Sequence, residues 1–289
     1  MIPFIGIDDS KLAPFHPYGI MVAIAFFVGE WAMMRFAVKR GYDRGDFRVC
    51  FILLGVFGWF FAWLVDVLFY RLDHLEQGVS ALQGFSSTGA IAGAFLGGFF
   101  WTRYDLRGWK LTKRETPHAL LPLTEVVLAT WPIPFAFGRV GCALIHDHVG
   151  ASAVPGTLGS LFAVGFPRDA SDGVHHVFGP VHLVTGASDL RYDLGLLEVL
   201  VLGPLALAFA RMWNKPVPMG NYTIIASLVY GPVRFILDFL RASEGPSGEA
   251  RQGGLTFAQY FSIGIVVLAI VLLVRRRRTG AIEPAKATS

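Results

Sequence analysis

Charge is what this sequence has least of. Only 16% of its 289 residues are Asp, Glu, Lys or Arg, where a soluble domain carries about 25%. Apolar residues fill the gap: 54% are hydrophobic, 25 are Phe, and the mean hydropathy is +0.52. That balance excludes a disordered chain and an ordinary soluble enzyme, because one core of this size could not hide so many aromatic rings. Cysteine is nearly missing too. Cys50 and Cys142 are the only two and no Cys-x-x-Cys occurs, which excludes a disulfide framework. There is no evident internal repeat. The first 17 residues lack the basic start and apolar core of a secretory signal, so none is expected. The net charge of +4 is basic, but the basic residues sit at the ends of apolar runs. Nucleic acid is therefore not an expected partner.

What the sequence does have is long apolar runs. A helix needs about 20 mostly apolar residues to cross a hydrocarbon layer of about 30 Å. Seven stretches qualify: roughly 18–37, 49–70, 84–102, 119–141, 194–212, 220–240 and 256–274. The third is weakly apolar but rich in small residues such as Gly89, Gly93 and Gly97, the composition of a helix that packs closely in lipid. The expected fold class is an all-α polytopic membrane protein, one domain of seven helices over residues 1–278. Residues 279–289 are expected to be a disordered tail, and Pro3–Ile7 to lie in the membrane interface. The longest connection, 147–193, holds His148, His175, His176 and His182 and is expected to form a small structured cap.

Lys and Arg in the connections orient the spans. Alternate connections and the tail hold sixteen of them, from Lys39 and Arg40 to Arg275–Arg278, and the opposite connections hold six. The N-terminus is thus expected outside and the C-terminus in the cytoplasm, the parity that seven spans require.

A few ionisable residues fall inside the runs: Glu30, Asp66, Glu125, Arg139, Glu198, Arg234 and Asp238. Each costs roughly 2.5–3.5 kcal/mol at a helix centre on insertion scales, which makes each a functional candidate. Arg234 and Asp238 could simply neutralise each other one helical turn apart. However, Tyr230, Arg234, Asp238 and Arg241 follow at intervals of 4, 4 and 3 and share one helical face. A polar ladder of that length is expensive against lipid, so it is expected to face the bundle interior. The fourth span ends in the run Gly138–Gly150, where Arg139, Cys142 and His146 share a face if the helix continues. Two arginines from two helices could then meet one anion. The planar guanidinium fork suits a phosphodiester, and a phospholipid headgroup is the anion expected at that depth.

Three readings of His146-Asp147-His148 stay open. Two imidazoles and a carboxylate are metal-ligand types, with His175 and His176 available to complete a set. Residues two apart on a helix do not share a face, which counts against that reading. A histidine here could also be a general base or its orienting partner. The plainest reading is a polar helix end.

Taken together, these residues resemble the prolipoprotein diacylglyceryl transferase family. His16-Pro17-Tyr18-Gly19 stands where members carry His-x-Tyr-Gly. Gly138-Arg139-Val140-Gly141-Cys142 matches the opening of the family signature and Gly150 its closing glycine. Tyr230-Gly231, Arg234, Asp238 and Arg241 match a later motif, and Gly253–Ser262 resembles the final outer loop. The resemblance implies a seven-span bacterial inner-membrane enzyme with its N-terminus outside. It also implies a reaction. The diacylglyceryl group of phosphatidylglycerol moves to the lipobox cysteine of a preprolipoprotein, with release of glycerol phosphate and without metal or soluble cofactor. Arg139, Arg234, Tyr230 and a histidine, His146 or His148, are then the catalytic candidates. Tyr18, Cys142, Asp238, Arg241, Glu198, Thr88 and Gly150 are the substrate-binding ones.

The chain departs from the family at several positions. Thr88 stands where members place a histidine proposed as the base, and His146 and His148 stand beside the retained arginine. The motif before the fifth span is reduced to Tyr192-Asp193 with Glu198 kept, and a glutamate of the sixth span is Asp238. Two accounts follow: a transferase whose base has moved to His146 or His148, or a paralogue that uses the same lipid site for another acceptor. A transporter ranks third, because no inverted repeat accompanies the charged ladder.

Overall fold

A computed structural model describes residues 2–7, 16–70, 86–107, 110–167, 174–178, 181–184, 189–241 and 251–279. The tail from 280, the side chains of His175 and His176, and Lys11, Arg71 and Arg168 lie outside the described residues. Eight helices are described: α1 (Pro17–Lys39), α2 (Arg44–Tyr70), α3 (Ser87–Arg103), α4 (Leu120–Thr130), α5 (Pro132–Ile145), α6 (Leu194–Met212), α7 (Asn221–Leu237) and α8 (Phe257–Thr279). Among the described residues, five helices are long and apolar enough to cross a membrane, or six if α4 and α5 count as one span. The chain is a mostly helical, multi-pass membrane protein.

The chain splits into two compact units. One comprises Met1–Gly29, Leu128–Val217 and Tyr222–Arg278, the other Glu30–Val127, Pro218–Asn221 and Thr279–Ser289. In the second unit, α2 and α3 are in backbone contact. Gly89, Gly93 and Gly97 lie one turn apart, and a Cβ on any of them would strike the carbonyl of Phe61, Phe57 or Leu53, which are also one turn apart. The small residues of the third run therefore do what their composition suggests, since a bare backbone allows two helices to approach in lipid. Ser86 starts α3 by accepting a hydrogen bond from Gly89 N at 3.3 Å. A hairpin of β2 (Tyr104–Arg107) and β3 (Lys110–Lys113) follows it.

A network around Asp46 closes this unit. Arg114 Nη2 donates to Asp46 Oδ1 at 2.6 Å and Trp101 Nε1 donates to the same oxygen at 3.2 Å. Arg114 Nε also donates to the carbonyls of Trp101 and Tyr104, at 3.1 and 3.3 Å. The His118 ring stacks on Trp101 with centroids 4.7 Å apart.

The chain bends by 44° between α4 and α5, and α5 with the last turn of α4 from Leu128 belongs to the first unit. Pro132 and Pro134 explain the bend, because neither can donate the amide bond that would continue α4 into α5. At the far end, α5 stops at Ile145 and His146 adopts the left-handed conformation with φ 51°. The expected face of Arg139, Cys142 and His146 is thus broken at its last member.

The all-α expectation needs correction. Residues 149–193 contain β4 (Val149–Ser152), β5 (Ala163–Phe166), β6 (Val174–Phe178), β7 (Val181–Val184) and β8 (Asp189–Asp193). They join β1 (Ile2–Ile7) in a six-stranded sheet of order β4-β8-β5-β1-β7-β6. Pro3–Ile7 does not stand alone. It is a central strand, parallel to β5 and antiparallel to β7, with Phe4 opposite Val184 and Ile7 opposite Val181. Its backbone groups need partners that a six-residue segment cannot supply from within, and two neighbouring strands supply them. Leu194, Leu197 and Leu237 form a buried cluster beneath, with Tyr192, Val233 and Leu240 packed on it.

Candidate functional site

The site belongs to the first unit and is built where α5, α6 and α7 converge. Gly195 is what lets α6 approach α5: a Cβ there would lie 3.1 Å from Cys142 Cβ and from Ala143 N. One turn along α6 from this contact sits Glu198, 1% exposed. Its carboxylate bridges two arginines. Oε2 pairs with Arg139 Nε of α5, and Oε1 accepts from Arg234 Nη1 of α7 at 2.9 Å. Both arginines are buried. Tyr230, one turn before Arg234, donates to Glu198 Oε2 at 3.4 Å. Aromatic rings wall the cluster. Arg139 lies over the Phe135 ring, 5.0 Å from its centroid, and Trp131 meets the Tyr230 ring edge-on at 4.8 Å. The arginines expected to meet one anion do so, and in the protein alone that anion is Glu198.

Asp238 is the second hub. It is fully buried at the start of a short 3-10 turn, Asp238–Leu240, that ends α7. Arg234 Nη2 approaches its Oδ1 at 3.3 Å and Arg241 Nε donates to the same atom at 3.2 Å. Thr256 donates its hydroxyl to Oδ2, and Arg251 Nη2 donates to the Asp238 carbonyl at 3.4 Å. The ladder read from the sequence is therefore continuous from Tyr230 to Arg241. Among the described residues, Arg139, Arg234 and Arg241 thus gather around Glu198 and Asp238, with Arg251 on the Asp238 carbonyl. Gly150 contributes backbone only. It bridges Arg241, and a Cβ there would strike the Leu240 carbonyl.

The two histidines after α5 differ in what they can do. His146 Nδ1 lies 2.6 Å from Asp193 Oδ2, and its Nε2 lies 3.0 Å from the Ile5 carbonyl of β1. Its ring also stacks on Phe4 at 4.3 Å. Asp193 in turn caps α6 by accepting from Leu196 N at 3.0 Å. Both nitrogens of His146 thus face acceptors, so it ties β1 to the start of α6 and has no open nitrogen to take a proton. His148 pairs through Nδ1 with Asp147, and about a quarter of its side chain is exposed (28%). A carboxylate on one ring nitrogen orients an imidazole, as a general base requires. Cys142 Sγ accepts from Arg139 Nη1 at 3.8 Å. Cys142, Asp147 and His148 place ligand atoms within 4.8 Å of one another, so these three residues, rather than a His146–His148 pair, could hold a metal ion such as zinc.

The remaining candidates fall elsewhere. Tyr18 is partly exposed near the start of α1, and its ring lies 3.3 Å from where a Cβ on Gly141 would stand. Thr88 belongs to α3 of the second unit and its side chain lies outside the described residues. Two members of the site were not picked out from the sequence. Asp193 stands just before an apolar run, the place where an N-cap carboxylate is expected. Thr256 had no such signal beyond its place in Gly253–Ser262.

Comparison with known proteins decides the family. The family described as Prolipoprotein diacylglyceryl transferase matches residues 10–275. This chain belongs to the prolipoprotein diacylglyceryl transferase family. Among its curated relatives is a phosphatidylglycerol–prolipoprotein diacylglyceryl transferase of Stenotrophomonas maltophilia (strain R551-3). It is 27% identical over 305 residues, covering 98% of this chain and 97% of the relative. One of the same name from Xanthomonas campestris pv. campestris (strain B100) is 26% identical over 289 residues, with 93% and 90% covered. The chain is thus a member of a transferase family of lipoprotein biosynthesis, in keeping with its apolar helices.

Proposed function

We propose that this prolipoprotein diacylglyceryl transferase homologue moves the diacylglyceryl group of phosphatidylglycerol to the lipobox cysteine of preprolipoproteins in the bacterial inner membrane. The observation that carries the reading is the pair of buried guanidinium groups, Arg139 and Arg234, converging from two helices on one anion position. A phosphodiester held there would have its leaving charge stabilised by fixed donors, which is where such donors are most effective. Asp238 holds Arg234 in place, Arg241 holds Asp238, and Glu198, with Tyr230 donating to it, neutralises both arginines in the protein alone. Tyr18 and Cys142 lie beside them as substrate contacts.

His148, oriented by Asp147, takes the proton of the acceptor thiol, because the thiolate is the nucleophile. The sulfur attacks the glyceryl carbon next to the phosphate. A C–S bond forms, the C–O bond breaks, and its electron pair leaves with glycerol phosphate. His148 is preferred over His146 because the latter has both nitrogens engaged. No cofactor enters this scheme.

In the membrane, α4 with α5 forms one span and α3 a seventh. Its 17 residues reach about 25 Å, near the lower limit for a crossing. The richer Lys and Arg side is cytoplasmic, and the six-stranded sheet forms a cap on the outer face. The test is incubation of the purified protein with phosphatidylglycerol and a lipobox peptide, read by mass spectrometry. A peptide heavier by one diacylglyceryl group is expected, and an unmodified peptide with folded protein overturns the reading. Thr88 at the expected histidine position favours a second reading, a paralogue with another acceptor. Failure to complement a strain depleted of its own transferase, at normal expression, would select it.

A further inference from the structure

We infer that Glu198 is a built-in counter-ion, and that an incoming phosphodiester displaces its carboxylate from Arg139 and Arg234. This rests on the proposal above that the two arginines hold a lipid phosphate.

The argument starts from charge. Two guanidinium groups taken out of water need an anion between them, since an uncompensated buried charge is strongly destabilising. Without lipid, the chain must supply that anion itself. Glu198 does so with one oxygen to each arginine. The two free oxygens of a phosphodiester present the same charge and the same two-point reach.

The fit on the Arg139 side is incomplete. Arg139 Nε touches Glu198 Oε2, yet it is among the buried atoms with no properly directed hydrogen bond among the described residues. Its Nη1 is directed at the Cys142 sulfur at 3.8 Å, a weak acceptor. Glu198 therefore neutralises Arg139 without satisfying it, and a ligand with oxygens on that side gains the hydrogen bonds now unmade.

Arg234 is held independently. Asp238 takes its Nη2 at 3.3 Å, and Thr256 and Arg241 hold Asp238 in turn. Departure of Glu198 would leave this arginine in place. The Tyr230 hydroxyl, 3.4 Å from Oε2, gives the displaced carboxylate a donor to fall back on.

The experiment compares wild-type protein with Glu198→Gln. Binding of phosphatidylglycerol is measured in phosphatidylcholine nanodiscs, and binding of inorganic phosphate in detergent. If carboxylate and phosphate compete, Glu198→Gln tightens phosphatidylglycerol by about tenfold or more. Tightening of inorganic phosphate as well shows that the headgroup charge alone is the competitor. Tightening of the lipid alone shows that the acyl chains must also be seated. Unchanged or weaker lipid binding overturns the inference, because a carboxylate that only aligns the arginines would be missed.

Glu198→Asp serves where the glutamine variant does not fold. It keeps the charge but is one methylene too short to reach both arginines, so it too should tighten binding under competition and weaken it under alignment. Arg139→Gln separates the two layers of the argument. If it leaves phosphatidylglycerol binding unchanged, the phosphate reading and the counter-ion inference both fall. If it abolishes binding while Glu198→Gln weakens it, only the counter-ion inference falls.

Discussion

Around Asp46 in one unit and around Glu198 in the other, the chain surrounds a carboxylate with donors. At Asp46 there is one arginine, one indole and a histidine ring, and Arg114 spends its remaining contacts on the carbonyls of Trp101 and Tyr104. That guanidinium is stitched into the backbone of its own unit. At Glu198 the carboxylate stands between two arginines, one of which has no directed hydrogen bond at its Nε among the described residues, and a third arginine joins them through Asp238. Under the proposed function the first arrangement is a staple and the second is a site. Burial separates them, since the Asp46 side chain is 27% exposed and that of Glu198 1%. So does the number of guanidinium groups paired with the carboxylate, one at Asp46 and two at Glu198.

Substitutions at both networks test that distinction. The largest expected effect is at the site. Arg234→Gln should lower diacylglyceryl transfer by roughly 10²–10³-fold, the loss that follows removal of a charge-stabilising donor. The rate of peptide modification measures it, and a rate near wild type would place the phosphate elsewhere.

His148→Ala should lower the maximal transfer rate by about 10²-fold with lipid affinity retained, as expected for a general base. His146→Ala divides from it in kind. It leaves Asp193 buried without its partner, so its main effect should be a lowered melting temperature in detergent, from a loss of about 3 kcal/mol. A rate collapse in His146→Ala with unchanged melting would reverse the two assignments.

The staple should behave as structure only. Asp46→Asn weakens charge-assisted bonds worth about 1.5–3 kcal/mol, so melting falls while lipid affinity at the Arg139–Arg234 pair stays constant. Lipid affinity that tracks this substitution would remove the distinction drawn between the networks.

The smallest effect is expected from Thr256→Val, which removes one hydroxyl donor to Asp238, worth about 0.5–1.5 kcal/mol. The variant should melt slightly lower and bind lipid a few-fold more weakly. No change in either would mean that Arg241 and Arg234 alone hold Asp238.

Much of the helical frame was readable because it is written in local pattern. The apolar runs correspond to α1, α2 and α6–α8 within a few residues, and the Gly89, Gly93 and Gly97 spacing reports the contact with α2. The ladder Tyr230-Arg234-Asp238-Arg241 was legible for the same reason, since its spacing lies within one helix. The breaks were not. The left-handed His146 ends a face that periodicity alone would have continued, and the α4–α5 bend divides what reads as one run. The sheet was missed because β1 has its partners about 160 residues away, and no local signal carries that pairing. Glu198 and Asp193 were visible as polar residues at an apolar run. Which arginine or histidine each would meet was not.

By itself, the sequence determined that this chain is a multi-pass membrane protein and which ionisable residues interrupt its apolar runs. Those properties follow from composition and from periodicities of a few residues. Tertiary structure alone decided that Arg139 and Arg234 converge on Glu198, that His146 meets Asp193 and β1 while His148 pairs with Asp147, and that the N-terminal strand completes a sheet. Each of these depends on which helix or strand lies against which, and that choice is made by close packing across long sequence separations.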